Sequence, residues 1–356
     1  MAKLMLEYLK SQPQVWRQAC QTLPGLAGQA AREMQRGGPV RRVVMVGSGS
    51  SHYAAQAAAC LLEQAGGPEL FAAVPTRLGQ LEQPAPGTVY WVVSQSGKST
   101  STQAAAERLR AAGARVWAVT GDEASPLARC AGGHLLIPCG EERVGPKTKG
   151  MTCTLLALWL LGRALAGPGA AQQAARQLEP AFAATDRQLA LCRAWAAGCA
   201  PVLAAAPCLT LVADGPALPL AREGALKLLE TLYVPAAAWE FEEYLHGVNN
   251  IIGPGAVHLF LLRQGPNRER MQRLVEYCRA RGAVCLVVDC DADPCVDGLR
   301  LGLGCQGGGS GLPYQALLPF QMLSALGSEA KGIDCDHPRY PDFYAALGTK
   351  AGAKAP

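Results

Sequence analysis

The sequence predicts an α/β protein of two units, each a parallel sheet flanked by helices. Three observations carry this. Short β-branched or aromatic runs alternate with alanine-rich helical stretches across glycine-containing turns. The alternation gives way to a mainly helical stretch over 149–200 and then restarts. A chain of 356 residues, 49% hydrophobic and 17% charged, has a globular composition and is too long for one modest core.

In chain order, residues 1–38 read as a helical segment ending in "RGGPVRR". "VVMV" (43–46) is a first strand, followed by "GSGSS" and the helix "HYAAQAAACLLEQAG". "LFAAV" (70–74) is a second strand and "VYWVV" (89–93) a third, which leads through "SQSGKST" into a helix from about Thr100 to Ala112, closed by Gly113. "RVWAVT" and "GHLLIPC" are two more strands. After the helical stretch, broken at "AGPGAA", come "CLTLVA" (208–213), a helix near 217–233, "HLFLL" (258–262), a helix near 267–281 and "AVCLVVDC" (283–290). A final helix near 312–331 runs into a tail with an Ala/Gly/Lys-rich end that reads as frayed. The expected division is therefore 1–38, 39–200, 201–335 and a tail of 336–356.

Composition excludes several function classes. The formal charge of +5 favours a small anionic substrate, and there is no run of Lys and Arg interleaved with aromatics, so no nucleic-acid partner is expected. "MAKLMLEYLKSQPQVWRQ" mixes charges through its apolar positions and lacks a signal-peptide core. The most apolar helical stretch, "GMTCTLLALWLLGRALAG", is interrupted by Arg163 and short for a bilayer, so it reads as a buried helix. The 14 cysteines stand singly, with neither CxxC pairs nor zinc-type spacing. A cytoplasmic protein with reduced thiols, no metal and no membrane partner is the expectation.

Residues 94–102, "SQSGKSTST", leave a hydrophobic strand and at once present hydroxyl side chains with no acidic residue among them. "GSGSSH" (47–52) stands in the same strand-to-helix position. Either loop alone is more often a plain turn. Two of them in consecutive strand-to-helix turns point instead to an anion cradle, because glycine admits close backbone approach and hydroxyls donate without adding negative charge. The spacing fits neither a dinucleotide fingerprint nor a Walker loop, so neither NAD nor ATP is expected.

In "LAREGALKLLETLYV", Glu223, Lys227 and Glu230 fall at i, i+4 and i+7, on one helical face. Such a stripe is ordinarily a solvated ion-paired face. The next segment, "EEYLHG", brings His246, one of only five histidines, into a short polar turn 16 positions after Glu230.

These residues resemble those of double SIS (sugar isomerase) domain proteins, a family of phosphosugar isomerases, deglycases, deaminases and phosphosugar-sensing regulators. "GSSHYA" is similar to its first serine-bearing loop and "SQSGKST" to its phosphate loop. "VGPKTKG" (144–150) looks like its VASTK segment, and "REGALKLLE" and "EEYLHG" look like the segments carrying its catalytic groups. The likeness spans roughly residues 40–340 and is greatest to fructosamine-6-phosphate deglycases and the isomerase half of glucosamine-6-phosphate synthase. It implies two three-layer α/β/α units of flavodoxin-like or Rossmann-like type. It also implies that Ser51, Ser94, Gln95, Ser96, Ser99 and Thr148 bind the sugar phosphate. Glu230 would be the carbon base, His246 the ring-opening or leaving-amine acid, Lys227 a stabiliser of enolate charge and Glu223 a substrate-site residue that orients Lys227. In the family the His comes from the partner subunit, so a homodimer with a shared site is implied.

The sequence departs from that pattern in places. Lys98 stands where the synthase has Glu, Ser99 where it has Thr, and Lys147 where the VASTK segment has Ser, though Thr148 and Lys149 fit. Residues 1–38 are too few for a glutaminase, so a complete glutamine-dependent synthase is not expected. The family's "PRNLAK"-like tail is matched at Pro338 and Arg339 but not at its lysine, which Lys350 could replace only if the tail folds back. Tyr340, Phe343 and Tyr344 would either line a pocket for a bulky amine or simply pack.

The resulting expectation is a cofactor-independent deglycase hydrolysing a phosphorylated Amadori-type sugar amine (fructosamine, fructoselysine or glucoselysine 6-phosphate) to a hexose 6-phosphate and free amine. The alternatives are a glucosamine-6-phosphate deaminase or amino-sugar isomerase, and a phosphosugar sensor. "DGPALP" (214–219) and "RQGPNRER" (263–270) hold the equivalent places in the second unit without the hydroxyl set, so one phosphate site per chain is expected.

Overall fold

A computed structural model describes residues 2–63, 65–80 and 84–352. It opens with a long helix, α1 (Lys3–Arg36), whose buried residues Met5, Leu9, Trp16, Leu23, Ala27, Ala30 and Met34 recur at three- and four-residue spacing along one stripe. The chain then resolves into two compact units. A front unit holds Gln14–Glu142, Lys149–Gln177 and the tail from Pro338, and a rear unit holds the chain up to Pro13, Arg143–Thr148 and Leu178–His337. The expected boundary near residue 200 is therefore replaced by one at Gln177–Leu178, and neither the N-terminal segment nor the tail stands apart. The frayed end foreseen for the tail falls on 353–356, outside the described residues.

In the front unit the chain runs β1 (Arg42–Val46), α2 (Ser50–Glu63), β2 (Glu69–Ala73), β3 (Thr88–Ser94), α3 (Thr100–Ala111), β4 (Arg115–Thr120), α4 (Pro126–Cys130), β5 (Gly133–Leu136), α5 (Lys149–Leu165) and α6 (Ala170–Gln177). The five strands are parallel in the order β2-β1-β3-β4-β5. β3 is central and buried along its whole length, which is why "TVYWVVS" carries no polar alternation. One sheet face packs Val46, Tyr90, Val92 and Ala118 against Ala105, Ala106, Leu109 and Leu127. α5, the apolar stretch interrupted by Arg163, is buried on nearly all sides, as its sequence predicted. A Cβ on Gly162 would strike Leu62 of α2 at 2.3 Å, so close helix packing requires glycine there.

The rear unit runs α7 (Glu179–Ala205), β6 (Leu209–Ala213), α8 (Leu218–Leu232), β7 (Ala236–Glu240), α9 (Phe241–Leu245), β8 (Val257–Leu262), α10 (Arg268–Ala280), β9 (Val284–Asp289), β10 (Cys295–Asp297), β11 (Arg300–Gly302) and α11 (Gly308–Ala330). Its sheet order is β10-β11-β9-β8-β6-β7, parallel except for β10. Leaving out β10, the parallel order repeats that of the front unit. By length and composition, one helical stretch, Ala170–Ala205, could cross a membrane. Its α7 portion instead meets α11 in a row of contacts. Phe182 packs edge-on to Tyr314 with centroids 5.4 Å apart, and Gln188 donates to Gln315 at 2.8 Å. The tail carries α12 (Phe343–Ala346).

Candidate active site

An open sheet of order 2-1-3-4-5 has its topological switch between the first and third strands, where the chain leaves in opposite directions and opens a crevice beyond the strand ends. Both hydroxyl loops lie there. β1 ends at Val46 and leads through Gly47–Gly49 to Ser50 and Ser51 at the head of α2; β3 ends at Ser94 and leads through Gln95–Ser99 to α3. The free N–H groups and positive dipole ends of α2 and α3 face the same edge. Gly49 has φ 55° and accepts bonds from His52 and Tyr53 through its carbonyl, which turns the chain into α2. A Cβ on Gly47 would lie 3.1 Å from both Ser51 Cβ and the Val93 carbonyl oxygen, so the two loops approach closely here.

The second loop is held tightly. Gly97 has φ 63°, and a Cβ there would fall 2.2 Å from Ser125 Cβ and Oγ. Its N–H donates to Ser94 O at 2.9 Å, and its carbonyl accepts from Leu127 N at 3.2 Å. Ser94 is buried; Gln95, Ser96 and Ser99 are half-buried, and Lys98 is exposed. Ser96 Oγ accepts from Lys98 N at 3.4 Å, and Ser99 Oγ accepts from Thr102 Oγ1 at 3.0 Å. Gln95 is directed inward, with Nε2 3.3 Å from Cys139 Sγ. Burial pushes that thiol up, against a smaller lowering by the Gln95 amide, so Cys139 stays a neutral partner. Thr148 is buried just before α5, in the segment grouped with the rear unit.

The tail folds back on this loop. Thr100 N donates to Thr349 O at 3.2 Å, Thr100 Oγ1 donates to Gly348 O at 2.9 Å, and Ala351 N donates to Lys98 O at 2.8 Å. Ser99 and Lys350 thereby form an isolated antiparallel bridge. The Lys350 ammonium lies over the Tyr344 ring, 3.5 Å from its centroid. The sequence left open whether the tail returns; these contacts were illegible there because most of them are made by backbone groups.

In the rear unit α8 brings Glu223, Lys227 and Glu230 together as the spacing required. Lys227 and Glu223 are almost wholly buried, with 3.6 Å between Nζ and Oε1, while Lys227 also donates to the partly exposed Glu230. This is not the solvated stripe that sequence statistics favour. An ammonium and a carboxylate removed from water are tolerable only as partners. Tyr233, the one non-glycine residue at positive φ (56°) among those described, ends α8 and turns the chain towards β7.

His246 caps α9 and is exposed. Arg270 holds the nearby Glu242 carboxyl below its usual range, with a smaller contribution from His246. Glu230 on α8 precedes β7 and His246 follows it, so the two flank opposite ends of that strand. The five residues of β7 span roughly 16 Å between those ends. Among the described residues Glu230 pairs with Lys227, and no hydrogen bond or ion pair joins it to His246.

The switch point of the rear sheet, between β6 and β8, is filled from within. Arg263 Nε lies 3.1 Å from Oδ1 of the buried Asp214, so a carboxylate occupies the position where the front unit offers hydroxyls. Among the described residues no cluster of three or more His, Cys, Asp or Glu could hold a metal ion.

A parallel α/β protein with a hydroxyl-lined cradle at its switch point is the class these features define. Residues 39–164, the stretch bearing both loops, match the SIS domain. It is 29% identical over 321 residues to a glutamine–fructose-6-phosphate aminotransferase (isomerizing) of Zymomonas mobilis, covering 84% of this chain and 51% of that one. The chain thus spans about half the length of the curated relatives it matches. A candidate phosphosugar isomerase from Clostridium difficile 630 shares its fold with a TM-score of 0.88, 21% identity and coverage of 98% and 99% of the two chains. The C-terminal domain of the Francisella tularensis glucosamine-fructose-6-phosphate aminotransferase does so at 0.81, with 19% identity and coverage of 94% and 98%.

Proposed function

We propose that this chain is a phosphosugar enzyme, and that it is a deglycase for a phosphorylated Amadori-type sugar amine. The observation that carries the reading is the pair of acid-free hydroxyl loops facing one crevice at the β1/β3 switch point. Ser51, Ser94, Gln95, Ser96, Ser99 and Thr148 would hold the 6-phosphate, fixing a substrate whose reacting carbons lie at the other end. Glu230 would remove a proton from C1 of the opened ketosamine and return it at C2, converting the C1 amine into a C1 imine. Lys227 would stabilise charge developing on the C2 oxygen, and Glu223 holds Lys227 in place. His246 would open the ring and protonate the departing amine, and water would hydrolyse the imine to the aldehyde of a hexose 6-phosphate.

The separation of Glu230 from His246 along β7 supports a homodimer in which each chain lends His246 to its partner. The tail supports a deglycase over an isomerase. Lys350 is engaged by the Tyr344 ring, and the exposed Tyr340, Phe343 and Leu347 offer apolar surface suited to a bulky amine substituent. The fourteen free thiols suit a reducing cytoplasm. The second reading, an amino-sugar deaminase or isomerase, shares every residue named and is favoured by the aminotransferase relatives. Incubation with fructoselysine 6-phosphate and with glucosamine 6-phosphate, following release of amine or ammonia, separates the two. Turnover of the first only is expected, and turnover of the second alone would overturn the deglycase. Glu230→Gln should lower turnover by about 10²–10⁴-fold while leaving phosphosugar binding intact. Unchanged turnover in that variant would remove Glu230 from the role of carbon base, and phosphosugar binding without turnover of either substrate by the wild type would favour a sensor.

A further inference from the structure

At the far end of β3 from Ser94, on the sheet face shared with Val44 and Tyr90, the front unit has an open pocket of about 370 Å³. Residues 88, 90 and 92 share one face of β3, and the register sets Thr88 beside Arg42 and Tyr90 beside Val44, which in turn pairs with Phe71. The volume is that of a small-molecule site. Its walls are Phe71 and Leu78, with the Arg42 guanidinium 5.3 Å above the Phe71 ring.

One buried polar group of this pocket is unsatisfied. Thr88 is 5% exposed and its hydroxyl has no hydrogen-bond partner. Tyr90 is 3% exposed as a residue and brings its hydroxyl to the same pocket. A buried hydroxyl without a partner is costly and uncommon, and it signals a group supplied from outside. Arg42 is already committed, donating Nε and Nη2 to Glu69 at 2.9 and 2.6 Å. Arg77 has no ion-pair partner among the described residues. The exposed Arg77 guanidinium, the orphaned buried hydroxyl of Thr88, the Tyr90 hydroxyl and an aromatic wall match a planar anion on an aromatic body. No glycine turn like those at 47–49 and 97 lines the space, which favours a carboxylate over a phosphate.

We propose that this cavity binds a small aromatic carboxylate, with Arg77 on the anion, Thr88 and Tyr90 hydrogen-bonded to its polar atoms, and Phe71 and Leu78 against its ring. Six residues of β3, roughly 20 Å, separate Thr88 from Ser94, so the site is distinct from the phosphate cradle. The assignment does not depend on the reaction proposed above.

The test is calorimetric titration of the full chain with 4-hydroxyphenylacetate, with 4-hydroxyphenylacetamide as the uncharged control. Saturable binding of one carboxylate per chain is expected, with the amide and Arg77→Ala each weakening it about tenfold. Thr88→Val should weaken binding while raising the melting temperature of the unliganded protein, since the orphan hydroxyl is gone and the shape is kept. Glucose 6-phosphate should not displace the carboxylate. The proposal is overturned by no saturation at about 10 mM, by equal binding of acid and amide, by wild-type affinity in both variants, or by displacement with glucose 6-phosphate.

Discussion

Gly97 shows how much of the candidate site depends on one missing side chain. Its φ of 63° and the 2.2 Å approach of Ser125 to a Cβ at that position act in the same direction. Gly97→Ala should cost about 1–3 kcal/mol of stability and raise KM for a phosphosugar, because the loop must move to admit the methyl group. Thermal unfolding and initial-rate kinetics check this, and wild-type values in both would refute it. The hydroxyls of this loop were legible in the sequence because polarity alone marks them. The inward path of Gln95 to Cys139 was not, since it depends on which residues β5 and α5 bring alongside. His258 is a second case decided by packing. It is fully buried on β8, with Nε2 2.8 Å from the Tyr244 hydroxyl, and burial holds its imidazole below the ordinary 6.5. The unfolded chain therefore binds a proton that the folded chain refuses. The associated stability is complete above that ordinary value and is lost as pH falls through it towards the folded pKa. His258→Gln, which can still hydrogen-bond the Tyr244 hydroxyl, should flatten the fall in melting temperature between about pH 7.5 and about pH 5.5; parallel curves for the two proteins would argue against it.

At the scale of elements, the two sheets share a strand order but differ at their switch points. Hydroxyls face the crevice between β1 and β3, whereas the Asp214–Arg263 pair fills the one between β6 and β8. A phosphate there would meet a buried carboxylate already neutralised by its own cation, so each chain should bind one phosphosugar. Titration with glucose 6-phosphate should give one site per chain, and a stoichiometry of two would contradict the assignment. The sequence announced most of these elements, because β1, β3, β4, β6, β8 and β9 are apolar runs between glycine-bearing turns. It did not announce β7, whose "AAAWE" has a single strongly strand-favouring residue and alternates between half-buried and exposed. β10 and β11, three residues each, are too short to show a period. The unit boundary was misread for a related reason. α7 looks continuous with the helices before it, and only its packing against α11 assigns it to the rear unit.

At the scale of the whole molecule, the decisive question is whether the residues proposed for one reaction act within one chain. Glu230 and His246 lie towards opposite ends of β7, and the polarity of a parallel strand leaves little freedom to change that. A homodimer with two-fold symmetry supplies the missing group twice over, since whatever one chain presents to its partner the partner presents in return. Complementation tests this directly. Glu230→Gln and His246→Ala should each be inactive alone. If they are unfolded, mixed and refolded together, random pairing makes half of the dimers mixed. In each mixed dimer one site joins the intact Glu230 of one chain to the intact His246 of the other, and the second site lacks both. Activity should therefore return to about a quarter of the wild-type level. If each site were built within a single chain, every site in the mixture would lack one group and nothing would return. Recovery near a quarter supports exchange of His246 between subunits, and a mixture as inactive as its components would refute it.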